Sequence, residues 1–315
     1  MIVLALPWIL VFLLLLALFF AYKKRWLLCL GCMVLVGIGN YLGSVFAFNI
    51  NCWGKTEGET KTHLKVLAWN VDGGNSDDTK NHNLFNIIYT CNPDIVFLSE
   101  NYGQVNGILD KKLSSINLKR VDYPGDHGHW FYSRLPIKSI DVVVPECDSL
   151  AIIIKCKVVF EESIILFYGV HFSSNNFNQA RKYMPADSIC SNWSIIDYYK
   201  NTQYASTLRM KEAEQICNEI HNVQAPVLVL GDMNDVCSSD CINTLESAGL
   251  KDAWWSGGFG YGATINQPLP YRIDHIMYSE RFRLQKIKVI NSDGLSDHKA
   301  LYAEFLIEEH KELYR

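Results

Sequence analysis

The pattern of apolar and polar positions divides the sequence near residue 50. Residues 2–22 carry no charged side chain and are long enough to cross a bilayer as a helix. Three basic residues, Lys23 to Arg25, separate this run from a second, glycine-containing apolar run between Trp26 and Ile50. A cleaved signal peptide has its positive charges before a shorter apolar core, whereas here they follow a long one. The pattern therefore predicts a transmembrane hairpin of two helices.

The basic turn also predicts an orientation. Short loops rich in Lys and Arg favour the cytoplasmic side of a membrane, so we expect this turn inside and the chain after residue 50 outside. We predict three segments, namely the hairpin at 1–50, a polar linker at 51–62 and one folded domain at 63–315. A multi-pass anchor followed by an extracytoplasmic domain would suit a bacterial inner membrane.

Short branched or aromatic runs bounded by turn residues predict strands throughout the domain. These runs lie at 64–69, 94–99, 150–160, 163–170, 226–231, 273–279 and 299–307. Apolar residues spaced i, i+3, i+4 and i+7 predict helices within 80–91 and 205–221. The stretch 142–170 is dense in strands with no helix between them, which favours antiparallel hairpins. We predict an α/β fold with a mixed sheet covered by helices; the segment 173–204 has no clear pattern.

Charge and cysteine content restrict the class of partner. The hairpin turn holds three of the 29 basic residues, so the chain after residue 50 has 26 against 33 acidic residues, a formal charge of −7. Proteins that hold duplex phosphates by electrostatics alone usually have a basic face, so this charge disfavours a nucleic-acid partner. Eight of the ten cysteines lie at or after residue 52. Cys237 and Cys241 are close enough to pair, but sequence does not fix connectivity.

Several predicted strands end in side chains that carry oxygen or imidazole groups. The residues are Asn70, Glu100, His171, Asp232, Asn234, Asp274, Asp297 and His298. Each residue alone has an ordinary explanation, such as a solvated strand end or a turn. Their occurrence at successive strand ends is informative, because loops at one edge of a sheet commonly gather catalytic groups. Together they predict one shared site.

The order and local sequence of these residues resemble the endonuclease/exonuclease/phosphatase superfamily, which includes DNase I-like nucleases, neutral sphingomyelinases and inositol polyphosphate 5-phosphatases. The resemblance spans about residues 63 to 307 and rests on VLAWNV, PDIVFLSE, YSRLPI, YGVHFSS, VLVLGDMND, YRIDHI and LSDHKAL. It implies a four-layer sandwich of two mixed β-sheets with helices outside, which agrees with the strand pattern. The domain at 63–315 is accordingly expected to be the catalytic domain of a membrane-anchored member.

Phosphodiester hydrolysis needs a hard cation, an aligned water and donors to the phosphoryl oxygens. Carboxylate and amide oxygens suit Mg²⁺. Glu100 is therefore the first candidate metal ligand and Asn70 supports it, a pair that the resemblance also implies. We expect Asp297 to complete the outer shell or to contribute to a second ion. Mg²⁺ is the predicted cofactor, with Mn²⁺ as an alternative.

The remaining strand-end residues are assigned to catalysis. We expect His298 to reach the scissile phosphate or the attacking water, while Asp274 orients its imidazole and favours the charged ring. Asp232 would align or deprotonate the water, and Asn234 would donate to a phosphoryl oxygen. The resemblance places His171 at a phosphate-contact or general-acid position. Which histidine is the acid and which the base stays open.

Four other polar residues are left outside the site. Arg134 matches a family position, but pairing with a local carboxylate explains it equally well. Alternation along a strand points His275 to the face opposite Asp274. His127 and His129 lack a third partner for a metal site, so we interpret them as loop and strand residues.

The predicted function is a membrane-tethered, divalent-metal-dependent phosphohydrolase that cleaves phosphodiester or phosphomonoester bonds, either a nuclease or a small-molecule phosphoesterase. A sphingomyelinase-like lipid phosphodiesterase is the alternative. A catalytically inactive binding module on the same fold is a third, which the complete set of site residues argues against. The expected partners are a phosphoester substrate (nucleic acid, phospholipid or phosphorylated small molecule) and the membrane, reached through the N-terminal helices; no protein partner is predicted.

Overall fold

The computed structural model describes residues 2–49, 62–73, 78–101, 107–124, 128–143, 145–147, 151–175, 195–266 and 269–308. The predicted linker, apart from residue 62, lies outside these residues, as do residues 176–194 of the segment that has no clear sequence pattern. Two six-stranded mixed sheets pack face to face, and helices cover both outer faces. The predicted four-layer α/β sandwich is confirmed.

The strands and helices are numbered in chain order within the described residues. The strands are β1 (Ala47–Phe48), β2 (Leu64–Asn70), β3 (Ile95–Ser99), β4 (Lys119–Arg120), β5 (Trp130–Ser133), β6 (Ile137–Val143), β7 (Ile152–Phe160), β8 (Ser163–His171), β9 (Val227–Asp232), β10 (Lys251–Asp252), β11 (Phe259–Gly260), β12 (Asp274–Tyr278), β13 (Phe282–Ile290) and β14 (Ala300–Ile307). The helices are α1 (Ile2–Tyr22), α2 (Trp26–Gly43), α3 (Asp78–Cys91), α4 (Ile108–Ser114), α5 (Ile195–Ile220), α6 (Asp240–Ser247) and α7 (Ala253–Gly257).

Each large sheet has one parallel pair of strands at its centre. The first sheet has the order β13-β14-β2-β3-β5-β4, and the second has the order β10-β12-β9-β8-β7-β6. β2 is parallel to β3 in the first sheet, and β8 is parallel to β9 in the second. Parallel strands end at the same edge, so Asn70 lies beside Ser99 and His171 lies beside Asp232. The two central pairs thus deliver polar side chains to one end of the sandwich.

Apolar side chains fill three layers of the sandwich. Between the sheets, the rings of Phe131 and Phe167 meet edge to face with centroids 5.0 Å apart. Outside the first sheet, Ile88 of α3 packs on β2 and β3, and outside the second, Ile216 of α5 packs on β8 and β9. Central strands such as β9 are buried on both faces, which explains why their sequences are continuously apolar rather than alternating.

The two N-terminal helices form an antiparallel hairpin, and both are long and apolar enough to cross a membrane. Glycines let the helices approach closely: a Cβ at Gly39 would lie 2.7 Å from Leu10, and one at Gly43 would lie 2.3 Å from Leu6. The outward faces carry large exposed apolar side chains along most of both helices. The hairpin expected from the sequence is therefore present as a structural unit.

The second helix ends at Gly43, although the apolar run continues to Ile50. Ser44 adopts a left-handed conformation, with φ of 48°. The side chain of Asn40 then fixes the turn, because its amide accepts from the backbone N of Phe46 at 2.6 Å and donates to the carbonyl of Phe46 at 2.9 Å. The chain leaves the hairpin through this turn and enters β1, which pairs with β11 of the domain.

The strands and helices predicted from the sequence all form, and additional elements accompany them. The strand β13 was not predicted, because a register shift between Leu284 and Lys286 interrupts its alternation. The helix predicted at 205–221 begins earlier, at Ile195. The cysteines that the structure describes are free thiols, including Cys237 and Cys241, for which pairing had stayed open.

Candidate active site

Asp232 lies at the centre of the cleft where the central strands of both sheets end. Its side chain is almost fully buried, and its Oδ2 accepts a hydrogen bond of 2.9 Å from Nδ2 of Asn70. The same oxygen lies 3.9 Å from Nε2 of His171 and 3.8 Å from Nε2 of His298. Burial, followed by the charge of Asp274, raises the pKa of Asp232. The cleft therefore contains a buried carboxylate whose pKa lies above its ordinary value.

The end of β9 explains how Asp232 is held. Gly231 has a φ of +136°, and a Cβ there would lie 2.1 Å from the carbonyl oxygen of Val170, so a glycine is required. Oδ1 of Asp232 accepts from the backbone N of Asn234 at 2.8 Å. Asn234 has a φ of 52°, and its Nδ2 donates to the carbonyl of Phe172 at 2.9 Å. The turn thus fixes both side chains beside the strand end.

His298 and Asp274 form a closely paired dyad. Nδ1 of His298 lies 2.8 Å from Oδ2 of Asp274, while Nε2 faces Asp232. Burial opposes the charged ring, but the charges of Asp274 and Asp232 outweigh it and raise the pKa of His298 to about 10. The backbone is fixed by Ser296, whose Oγ accepts from the N of His298 at 3.0 Å and donates to the carbonyl of Asn70 at 2.8 Å.

Glu100 and His171 form a second pair across the cleft. Glu100 has a φ of 53°, immediately after β3, and its Oε1 lies 3.1 Å from Nε2 of His171. This contact lowers the pKa of Glu100 to about 2, against the opposing effect of burial. Burial opposes the protonated ring of His171, but Glu100 and Asp232 raise its pKa. Nε2 of His171 is buried and lies between two carboxylates, 3.1 Å from Oε1 of Glu100 and 3.9 Å from Oδ2 of Asp232.

Three carboxylates approach one another on the open side of the cleft. Burial, followed by the charges of Asp297 and Glu100, raises the pKa of Asp72. The side chain of Asp297 is 46% exposed, and its Oδ1 lies 4.0 Å from Nε2 of His298. Mutual repulsion among carboxylates is relieved by a hard divalent cation, which prefers oxygen ligands. The side chains present here therefore fit a divalent metal ion.

Within the described residues, two sets of candidate ligand atoms lie within 4.8 Å of one another. One set comes from Glu100, His171 and Asp232, and the other from Asp232, Asp274 and His298. In the second set the imidazole of His298 is already paired with Asp274, whereas Glu100 in the first set is partly exposed to the cleft. The position beside Glu100 is therefore the better candidate for an ion.

Asn70 bridges the carboxylates on the two sheets. Its Nδ2 donates to Oε1 of Glu100 at 3.0 Å and to Oδ2 of Asp232 at 2.9 Å. Its Oδ1 accepts from the backbone N of Asp72 at 3.1 Å. In this orientation the amide oxygen faces the backbone, so metal ligation through it requires the amide to turn over. The contribution of Asn70 to a metal site stays a prediction.

A buried polar cluster on α5 supports the two loops behind the cleft. Arg209 is 1% exposed; its Nε donates to Oδ2 of Asp235 at 2.8 Å and its Nη1 donates to the carbonyl of Ser173 at 2.9 Å. Glu212, one helical turn further along, accepts from the backbone N of Ser173 at 3.0 Å. The cluster joins the loop after His171 to the loop after Asp232. It therefore fixes the spacing between the ends of β8 and β9.

The residues left outside the site from sequence have other partners. Nε of Arg134 donates to the carbonyl of Ile116 at 3.1 Å, which is a structural role. His275 points to the face opposite Asp274, as predicted, and its Nδ1 lies 2.8 Å from Oδ2 of Asp252. The ring of His129 is buried against His171, with centroids 5.1 Å apart. His127 lies outside the described residues.

All eight residues predicted from the sequence lie at this cleft, and the structure adds Asp72 and Ser296 to it and Arg209 behind it. Asp72 comes directly after VLAWNV, just outside that motif, whereas Ser296 belongs to LSDHKAL. Arg209 had no such signal, because a single arginine in a helix is ordinarily a solvated residue. Its role depends on burial, which only the folded chain shows.

Comparison with known protein families identifies the class of protein. The model of the Endonuclease/Exonuclease/phosphatase family matches residues 67–298. The chain belongs to this family, whose name covers enzymes that hydrolyse phosphoester bonds. The matched range begins in β2 and ends at His298, so it contains the whole cleft. No curated protein matches the sequence at a significant level.

Solved structures show the same fold at low sequence identity. The structure of D. rerio TDP2 complexed with a single-strand DNA product is 17% identical, covers 78% of this chain and 99% of its own, and has a TM-score of 0.54. The human Nocturnin catalytic domain with bound sulfate is 13% identical, with coverages of 80% and 97% and a TM-score of 0.56. A family protein from Bacteroides thetaiotaomicron is 14% identical, with coverages of 80% and 100% and a TM-score of 0.53.

Proposed function

We propose that this chain is a membrane-tethered, divalent-metal-dependent phosphohydrolase whose cleft hydrolyses a phosphodiester or phosphomonoester bond by direct attack of water. The observation that supports this most strongly is the position of Asp232. Its carboxylate contacts Asn70 and faces both His171 and His298 within 4 Å. A carboxylate and two imidazole rings around one space can supply the base and the proton donors that in-line attack of water on a phosphate uses.

The proposed roles follow from the protonation states. Asp232, whose pKa is raised, would orient the attacking water and accept its proton. His298, whose pKa of about 10 keeps it charged at neutral pH, would stabilise negative charge on a phosphoryl oxygen, with Asp274 as the residue that positions it. His171, whose Nε2 faces Glu100 and Asp232, would exchange its contact with Glu100 for one to the phosphate or would protonate the leaving oxygen. Asn234 would supply its second amide hydrogen to a phosphoryl oxygen.

Glu100 and Asp297 would hold the metal ion, with Asp72 as a further carboxylate and Asn70 as an amide ligand if its side chain turns over. The ion supplies Lewis-acid stabilisation of the charge on the phosphoryl group. Oxygen ligands favour Mg²⁺, with Mn²⁺ as an alternative. Glu100 is suited to this role because the low pKa of its carboxyl keeps it ionised throughout the physiological range.

The two N-terminal helices support the membrane part of the proposal. Each provides an apolar window that is exposed over most of its surface, which is unlike the core helix of a soluble protein. With Lys23 to Arg25 on the cytoplasmic side, the domain at 63–315 would lie outside, tethered by the hairpin at 1–50 and the linker at 51–62. The bacterial inner membrane is the compartment that we propose. A reporter fused after Arg315 that is active only in the cytoplasm would contradict this orientation.

The catalytic proposal is tested by hydrolysis of bis-p-nitrophenyl phosphate by the full chain in detergent, with and without Mg²⁺ or Mn²⁺. We expect metal-dependent turnover that falls by at least about a thousandfold in Asp232→Asn, which keeps the shape of the side chain but removes the base. Asp122→Asn, at a carboxylate that is 96% exposed, should behave as wild type. Metal-independent turnover, or full activity in Asp232→Asn, would contradict the proposal.

A further inference from the structure

The two members of the catalytic dyad come from different sheets. Asp274 begins β12 in the second sheet, whereas His298 lies just before β14 in the first. Among the described strands, no ladder of backbone hydrogen bonds joins β12 to β14, because each pairs within its own sheet. The contact of 2.8 Å between Nδ1 of His298 and Oδ2 of Asp274 therefore depends on how the two sheets are held at this edge.

Thr264 is a buried residue that lies between these two chain segments. Its hydroxyl oxygen accepts from the backbone N of Asp274 and from that of Ile273, each at 3.1 Å. Its backbone carbonyl accepts from the backbone N of Lys299, the residue after His298, at 2.7 Å. One residue thus binds the main chain on both sides of the dyad.

The hydroxyl of Thr264 takes the place of a missing neighbouring strand. On one side of β12, Asp274 lies opposite Asp232 of β9. On the other side, β10 pairs with Tyr278 and Met277, and within the described residues this ladder ends before it reaches Asp274. Because Asp274 is only 2% exposed, water cannot readily serve as the acceptor for its backbone N–H. The hydroxyl therefore supplies the acceptor that this end of β12 needs.

Backbone hydrogen bonds hold Thr264 itself in place. Its N–H and that of Ile265 donate to the carbonyl of Tyr271, at 2.8 Å and 3.0 Å, and the N–H of Tyr271 donates to the carbonyl of Ile265 at 3.0 Å. Ile265 also forms a β-bridge with His298. The hydroxyl is therefore presented by a fixed backbone, and a shift of Asp274 away from His298 would break a hydrogen bond.

A purely structural role is the alternative, because a buried backbone N–H without an acceptor is destabilising wherever it lies. Ser279 has such a role: its hydroxyl accepts from the backbone N of Val227 at 2.9 Å, about 17 Å along the strand from Asp274. Thr264 differs because its two acceptors bind residues of both sheets beside the dyad. A displacement of about 1 Å at a catalytic group can lower a rate by about a hundredfold.

We propose that Thr264 is a positioning residue of the active site, which joins the backbone of Asp274 to that of Lys299 and so holds the carboxylate of Asp274 where it orients the imidazole of His298. The inference rests on the proposed function, in which His298 stabilises charge on a phosphoryl oxygen. Because Thr264 acts through the dyad and does not touch the substrate, its loss should slow the chemical step and leave substrate binding unchanged.

The test measures kcat and KM of the full chain in detergent with bis-p-nitrophenyl phosphate and Mg²⁺, under conditions in which urea titration shows each variant to be folded. Thr264→Val keeps the shape of the side chain but removes the acceptor. It should lower kcat by at least about tenfold and leave KM unchanged within about twofold. Thr264→Ser keeps the hydroxyl and should retain kcat within about threefold of wild type. Thr264→Cys, whose thiol is a weak acceptor, should lie between them and replaces Thr264→Val if that variant does not fold.

The matched control is Ser279→Ala, which removes an acceptor of a backbone N–H at the other end of the same strand. Ser279→Ala and Thr264→Val should both lower the urea midpoint, but only Thr264→Val should lower kcat. A double-mutant cycle with Asp274→Asn gives a second readout. Because Asp274→Asn already weakens the orientation of His298, adding Thr264→Val to it should lower kcat by less than about twofold further.

A kcat equal to that of wild type in folded Thr264→Val would overturn the inference, as would equal losses of kcat in Thr264→Ser and Thr264→Val. A loss of kcat in Ser279→Ala as large as that in Thr264→Val would overturn it too. So would independent, multiplicative effects of Thr264→Val and Asp274→Asn, because Thr264 would then act apart from the dyad. Each of these outcomes leaves the proposed function standing, whereas no turnover by the wild-type chain would remove the proposed function and this inference with it.

Discussion

The buried ion pair beneath the catalytic loops offers the sharpest test of how the domain is stabilised. Oδ2 of Asp252 accepts from Nη1 of Arg272 at 2.6 Å and lies 2.8 Å from Nδ1 of His275. The side chains of Arg272 and Asp252 are only 1% and 3% exposed. Oδ1 of Asp252 also accepts from the backbone N of Trp255 at 2.8 Å and so caps α7. One carboxylate thus neutralises a buried guanidinium and starts a helix.

The substitution Asp252→Asn separates these two roles. Its amide oxygen can still cap α7, but the negative charge is lost and Arg272 is left buried without its counter-ion. Removing one partner of a buried pair costs about 3–5 kcal/mol of unfolding free energy. Asp252→Ala loses the cap as well, which adds about 1 kcal/mol. We therefore expect both variants to be strongly destabilised, with Asp252→Ala the less stable of the two.

The dependence on pH provides an independent check. Burial alone would raise the pKa of Asp252, but Arg272 and His275 hold that pKa well below its ordinary value of about 4. A carboxyl whose pKa is lower in the folded state contributes stability that is present above its unfolded pKa and is lost as the pH falls below it. The difference in unfolding free energy between wild type and Asp252→Asn should therefore be constant above about pH 5 and shrink below about pH 4.

The assay is urea unfolding of the full chain in detergent, followed by tryptophan fluorescence between pH 3 and pH 8. Asp122→Asn is the matched control, because its carboxylate is 96% exposed and lies 4.0 Å from Arg120; we expect it to change the unfolding free energy by less than about 0.5 kcal/mol. An effect of Asp252→Asn below about 1 kcal/mol, or one that does not change with pH, would refute the reasoning.

Three further predictions concern the cleft. Glu100→Gln should weaken Mn²⁺ binding by at least about tenfold in isothermal titration calorimetry, and unchanged affinity would place the ion elsewhere. Gly231→Ala should lower the unfolding free energy of the domain by at least about 2 kcal/mol, because its Cβ would lie 2.1 Å from the carbonyl oxygen of Val170. The control is Gly249→Ala, which also has a positive φ but lies in open space. It should lower the unfolding free energy by no more than about 1 kcal/mol in the same urea titration. Arg209→Met should lower both kcat and the unfolding free energy, because it removes the hydrogen bonds from Arg209 to Asp235 and Ser173 in the two loops behind the cleft. A kcat equal to that of wild type would contradict a positioning role.

That the site residues lie close together was predictable, because the ends of the strands can be recognised in the sequence. Asn70, Glu100 and Asp232 each follow a continuously apolar run, and parallel pairing places such ends at one edge. The exclusion of His275 from the site was predictable because alternation puts Asp274 and His275 on opposite faces of β12. The structure pairs Asp274 with His298 and His275 with Asp252.

Other features could not be read from local patterns. The orientation of the Asn70 amide depends on a backbone N–H at Asp72 and on carboxylates from both sheets, so it exists only in the folded chain. Arg209 is informative only because it is buried. The end of α2 at Gly43 was also hidden, because the apolar run continues to Ile50 while the turn depends on the side chain of Asn40.

The most direct test of the central claim is anomalous diffraction from crystals of the full chain grown with Mn²⁺. We expect a single strong peak in the cleft, about 2.2 Å from a carboxylate oxygen of Glu100 and on the side that faces Asp297 and Asp232. The peak should disappear in Glu100→Gln while the protein remains folded. A Mn²⁺ ion bound only outside the cleft, in a preparation that still hydrolyses the nitrophenyl ester, would contradict metal-dependent hydrolysis at this site.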